Sequence, residues 1–205
     1  MAAEYADSHW DMLTDLSSAE RVDLIKGAHR RKSSAAADLG TAVHDACDHW
    51  VRDEPMPKWE PGVEKFMEQF VQFLEARRPV FLMTEVTVWN RTHGYAGTFD
   101  WLARIGGKVT LGDHKTGNNV WPEVGLQLSA LAHAEFILHP DGTEEPLPPV
   151  ELLGALHLRP RSWALIPVGE MEECWEAFLA ARVITNWSRT VAPNVLGPRL
   201  KAVAA

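Results

Sequence analysis

Asp100, Asp113 and Lys115 are the residues whose types and spacing could do chemistry. They lie in Gly-Tyr-Ala-Gly-Thr-Phe-Asp-Trp-Leu-Ala-Arg-Ile-Gly-Gly-Lys-Val-Thr-Leu-Gly-Asp-His-Lys-Thr-Gly, residues 94–117. The stretch predicts two short strands joined by a Gly106-Gly107 turn. Side chains two apart on a strand share a face, so Asp113 and Lys115 project together, and Asp100 can approach them across the hairpin. Two carboxylates and an ammonium converging at a strand end suit a divalent cation with a water activated beside it, the chemistry that phosphodiester hydrolysis requires.

Each of these residues also has a plainer explanation. Lys115 could merely pair with Asp113 at the surface, an interaction worth less than about 1 kcal/mol. Asp100 could cap a turn, but it stands too far ahead of Gly106-Gly107 for that. A carboxylate among apolar strand residues needs compensation, since burying it unpaired costs several kcal/mol. A cation would provide it.

The elements that must position these residues follow from periodicity. Residues 4–30 and 35–52 predict two helices, the first capped by Asp15 or Ser17-Ser18, the second with Leu39, Val43, Ala46, Cys47 and Trp50 as its apolar stripe. Glu54-Pro55-Met56-Pro57 ends the second helix, and residues 61–76 predict a third. Strands are expected at about 80–90, 95–104 and 108–114, and a helix from about Pro122 to about Leu138. A proline-rich loop, His139–Pro149, leads to a strand over Leu152–Leu158. Arg159–Ser162 reads as a turn, Trp163–Val168 as a returning strand, and Glu170 to Trp187 as the last helix. The expected fold is a mixed α/β domain, a central mixed sheet with helices around it. The expected organisation is one domain over 1–205, with a core at about 36–187, an N-terminal helical segment at 1–34 and a loose tail at 192–205.

Bulk properties narrow the function classes. The 205 residues are 46% hydrophobic, enough for a proper core. No apolar run approaches the ~18 residues of a membrane helix, and Met1–Trp10 lacks the basic start of a secretory signal. Cys47 and Cys174 have no paired spacing and read as small side chains in a reducing compartment, so a cytoplasmic location is the simplest expectation. A net charge of −8 argues against a generic phosphate-binding surface. Local basic clusters stand at Lys26–Lys32, Arg77-Arg78, and Arg159 with Arg161. Among nine tryptophans, Trp89, Trp121 and Trp163 lie near expected strand ends or loops, where base stacking is open to them. No phosphate-loop lysine motif is present, because Gly106-Gly107-Lys108 lacks the spacing.

Four pieces in order give the chain a wider resemblance: Gly40-Thr41-Ala42-Val43-His44, Gly97-Thr98-Phe99-Asp100, Gly112-Asp113-His114-Lys115-Thr116-Gly117 and Gln127-Leu128-Ser129-Ala130-Leu131. Over residues 36–136 the chain resembles the PD-(D/E)XK nuclease superfamily, within it the RecB-like exonucleases, including the CRISPR-associated type and its relatives in phages of actinobacteria. The resemblance implies the restriction-endonuclease-like core and a metal-dependent deoxyribonuclease, an exonuclease before an endonuclease, acting in phage or bacterial DNA processing in the cytoplasm of a bacterial host. It implies one or two Mg²⁺ or Mn²⁺ ions on His44, Asp100, Asp113 and the backbone carbonyl of His114, whose imidazole should point away from Asp113. Lys115 becomes the catalytic lysine, Gln127 the residue that reaches back to it or to the water, and Glu85 a residue of the outer shell. Arg159, Arg161 and Trp121 are candidate DNA contacts. DNA is the expected partner, with room for a recombination or helicase protein. With two cysteines an iron-sulfur cluster is not expected, nor is a nucleotide cofactor. The tyrosine that relatives carry four residues after the glutamine is Leu131 here. A catalytically silent nucleic-acid-binding or assembly module on the same fold is the alternative.

Overall fold

The computed structural model describes residues 18–56, 58, 61–139 and 141–198. They form four helices, α1 (Ser18–Val51), α2 (Val63–Arg77), α3 (Val124–Ala132) and α4 (Met171–Thr190), and a short 3₁₀ turn at Ala192–Asn194. The strands are β1 (Val80–Asn90), β2 (Tyr95–Ile105), β3 (Lys108–Lys115), β4 (Phe136–Leu138), β5 (Glu144–Pro146), β6 (Leu152–Arg159) and β7 (Ser162–Val168). They make one seven-stranded sheet in the order β5-β4-β1-β2-β3-β6-β7, so the fold is mixed α/β as expected. No helix among the described residues is long and apolar enough to cross a membrane.

The described residues group into two compact units. One contains the chain up to Ala76 with His114–Asn119 and His157–Ala164; the other contains Arg77–Asp113, Val120–Leu156 and the chain from Leu165. In the first unit, Val43, Ala46 and Cys47 on α1 and Val63, Phe66, Met67, Phe70 and Phe73 on α2 are buried at helical spacing. Cys47 donates its Sγ–H to the Met67 Sδ at 3.8 Å, and Trp163 meets Phe73 edge to face at 5.5 Å. That tryptophan therefore packs against a buried ring.

In the second unit, β1 and β2 pair antiparallel around the Arg91–Gly94 turn, and β2 and β3 around Gly106-Gly107. Both of those glycines have positive φ, 58° and 86°, the conformation a two-residue hairpin loop demands. The core joins Val88, Phe99, Leu102, Val109 and Leu111 of the sheet to Val124, Leu128 and Leu131 of α3. Tyr95 ties α3 to β2 by donating its hydroxyl to the Ala130 carbonyl at 2.9 Å, and burial raises its pKa well above the usual tyrosine value.

Several boundaries differ from the expectation. Over the described residues one helix runs from Ser18 to Val51 with no break at 31–34. Ser33-Ser34 precede three alanines, and serine in a helix interior costs only tenths of a kcal/mol against ~3 for a proline, so nothing there stops the turn. Residues 4–17, with Asp15 and Ser17 of the expected cap, lie outside the described residues. Trp50 is 45% exposed and leaves the apolar stripe early. The helix expected to reach Leu138 ends at Ala132, where the His133 ring takes up the Ser129 carbonyl. Ile137 then pairs with Val88 as strand β4. Inside the expected loop, Glu144–Pro146 forms β5, paired with β4.

Candidate metal centre

In the second unit, the ladder between β2 and β3 runs from Ile105 opposite Lys108 to Trp101 opposite Gly112. Asp100 and Asp113 are the next residues on the two strands. Gly112 is required by packing: a Cβ there would lie 1.9 Å from the Trp101 ring, which is buried against the strand. That contact pins the register immediately before Asp113.

Asp100 occupies an irregular stretch. Thr84 opposite Trp101 and Val86 opposite Phe99 bracket Glu85 and Asp100, and Glu85 has φ of 50°, a left-handed conformation rare in a strand. Phe99 and Leu102 both belong to one core cluster although an odd spacing should send them to opposite faces. The alternation therefore slips between them, where Asp100 sits. Local breaks of this kind re-aim a side chain and gather at functional sites. Glu85, expected in the outer shell, is exposed on the facing strand.

Asp113 is 3% exposed. Gln127 on α3 donates its Nε2–H to Asp113 Oδ1 at 2.7 Å, a short charge-assisted bond. The glutamine thus reaches β3 at Asp113, two residues before Lys115.

In the first unit, alternation along β3 turns His114 to the face opposite Asp113. Its buried ring meets His44 edge to face at 5.3 Å and Phe70 at 5.7 Å. Each histidine offers a ring nitrogen, and these lie within 4.8 Å of one another, close enough for one ion. The His114 imidazole, expected to point away from the ligands, instead faces His44. One turn before His44, a Cβ on Gly40 would come within 3.1 Å of the Thr116 hydroxyl. Small size at Gly40 lets α1 approach the end of β3.

Beyond half-buried Lys115 the chain turns through Thr116–Asn118. Arg159 holds this turn: Nη1 donates to the Thr116 and Gly117 carbonyls, both at 2.7 Å, and Nη2 to Asn118 Oδ1 at 2.9 Å. His157 Nε2 adds a bond to the Gly117 carbonyl at 2.8 Å. Arg159 thus braces the strand end that carries Lys115. His157 gave no signal in the sequence, where a histidine on an apolar strand reads as core. Arg161 is exposed in the β6–β7 turn, and Trp121 is 66% exposed ahead of α3.

Asp48 pairs with Arg52 one turn away at 3.0 Å, and His49 bonds the Pro55 carbonyl at 3.0 Å, so both serve the end of α1. Comparison of the chain with protein-family models and with characterised protein sequences finds no match.

Proposed function

We propose that this chain is a metal-dependent deoxyribonuclease of the PD-(D/E)XK type, hydrolysing phosphodiester bonds from a strand end. One observation carries the reading: the other three pieces of the resemblance each meet the piece on and just after β3, that of His44 within the first unit and those of Asp100 and Gln127 within the second. Gly40 abuts Thr116 and His44 meets His114; the strand of Asp100 pairs with β3 up to Gly112; Gln127 bonds Asp113.

The donors fit a divalent cation. His44 would supply an imidazole nitrogen, Asp100 and Asp113 carboxylates, and His114 its backbone carbonyl; a mixed nitrogen and oxygen set suits Mn²⁺ and tolerates Mg²⁺. When bound, the ion lowers the pKa of a water and offsets charge on the phosphate. Gln127 fixes the Asp113 carboxylate in one orientation. Lys115, held at the strand end by the turn Arg159 braces, orients the attacking water and stabilises charge developing on the phosphate oxygens.

Asp113→Ala tests this. Cleavage of DNA in Mn²⁺ should be abolished while the thermal unfolding transition persists. Metal-dependent cleavage retained by a preparation free of other nucleases would contradict the assignment.

A further inference from the structure

We propose that a cavity of about 460 Å³ in the first unit holds one nucleotide of the substrate strand, its base on an apolar floor and its phosphate between Lys65 and Arg159. The inference rests on the function proposed above and specifies where that site grips its substrate.

Leu39 on α1 and Phe66 on α2 form the floor, and Thr116, Gly117 and Asn118 form a wall. The volume falls within the roughly 300–1,000 Å³ of small-ligand sites. The wall is the turn that directly follows Lys115, so a nucleotide seated here belongs to a strand whose neighbouring phosphate lies at the end of β3.

Charge selects the occupant. The chain carries 28 acidic residues against 20 basic ones, yet this cavity is lined by two cations and no carboxylate. The neighbouring cavity along α1 has the opposite character, with Asp38 and Asp45 in its lining and no cation. Glu64, beside Lys65 in sequence, is engaged with the Gly62 N–H at 3.0 Å. Arg159 spends three donors on the turn, leaving its Nε–H and one Nη2–H for a phosphate oxygen. An anion with a flat apolar body matches this lining; a bare phosphate would leave Leu39 and Phe66 unused.

Binding of a fluorescent single-stranded oligonucleotide of about twelve nucleotides, measured by anisotropy in EDTA, tests the proposal without requiring cleavage. Lys65→Glu reverses one cation on the exposed side of α2, and Ala36→Trp fills the cavity from an exposed position of α1. Each should weaken binding at least about tenfold at low salt, with the thermal transition kept. Lys58→Glu makes the same charge change at an exposed lysine outside the cavity and should shift binding less than about twofold. Wild-type affinity in both cavity variants would overturn the inference, as would equal losses in Lys58→Glu and Lys65→Glu. Cleavage by the wild type in Mn²⁺, run in parallel, separates the two claims. Cleavage with unaffected variants removes the subsite and leaves the nuclease; variant-sensitive binding without cleavage removes the nuclease.

Discussion

β3 and β7 are both short strands that return from tight turns, and they have opposite characters. β3 lies inside the sheet between β2 and β6 and is buried without interruption from Val109 to His114. β7 ends the sheet and has no buried residue. The edge strand, Ser-Trp-Ala-Leu-Ile-Pro-Val, carries no ionisable group, and Pro167 is tolerated there because an edge has N–H positions that need no partner. The interior strand carries Asp113 and His114 at 3% and 5% exposure. Ionisable side chains are thus placed where they are expensive and omitted where they would be free. Stability alone would favour the reverse, which supports the role proposed for β3.

The sharpest way to break this comparison is to disturb the packing of β3. Gly112→Ala puts a methyl into the Trp101 ring and should cost about 3 kcal/mol or more in urea denaturation. Ala164→Gly on exposed β7 should cost under about 1 kcal/mol; equal losses would show that β3 is not specially packed. Next in size is Gln127→Leu, which takes a donor from the buried Asp113 carboxylate. It should destabilise by about 1–3 kcal/mol and slow Mn²⁺-dependent cleavage about tenfold, and an unchanged rate would free Gln127 from the site.

A smaller effect concerns the start of β3. The Glu151 carboxylate accepts the Val109 N–H at 2.9 Å and a bond from Lys108 Nζ at 3.2 Å, and these, the backbone bond first, hold its pKa below the usual glutamate value. A depressed folded pKa gives stability that is present above the unfolded value of ~4.3 and is lost as pH falls through the folded one. Thermal unfolding of Glu151→Gln should accordingly depend less on pH below ~4.3 than that of the wild type. Identical slopes would show that the contact is not kept in solution. The smallest effect is expected on β7, where Ile166→Thr should change stability by no more than about 0.5 kcal/mol.

The contrast also explains what could be read beforehand. Gly106-Gly107 announced its hairpin because two successive residues need positive φ, and β1, β2 and β3 begin and end within about a residue of expectation. Asp113 stood out by its spacing to Lys115 and Gln127 by the resemblance, and they bond each other. Elements decided by tertiary contact were illegible. The Phe136–Leu138 run suits a helix as well as a strand, and only pairing with Val88 and Trp89 settles it. Glu144–Pro146 has no alternation to reveal β5. The continuity of α1 past Ser33-Ser34 depends on the absence of a breaker, which pattern reading undervalues. Lys65 and His157 were silent because an exposed lysine on an amphipathic helix and a histidine on an apolar strand have ordinary explanations. Glu85 was visible as a carboxylate, but its left-handed backbone was not.

The most direct test of the central claim is digestion of end-labelled single- and double-stranded DNA in Mg²⁺, Mn²⁺ or EDTA, with Lys115→Ala alongside the wild type. Products that need a divalent metal and vanish in the variant are predicted, with a ladder progressing from one end. No products from the wild type in either metal, or equal products from the variant, would contradict the account.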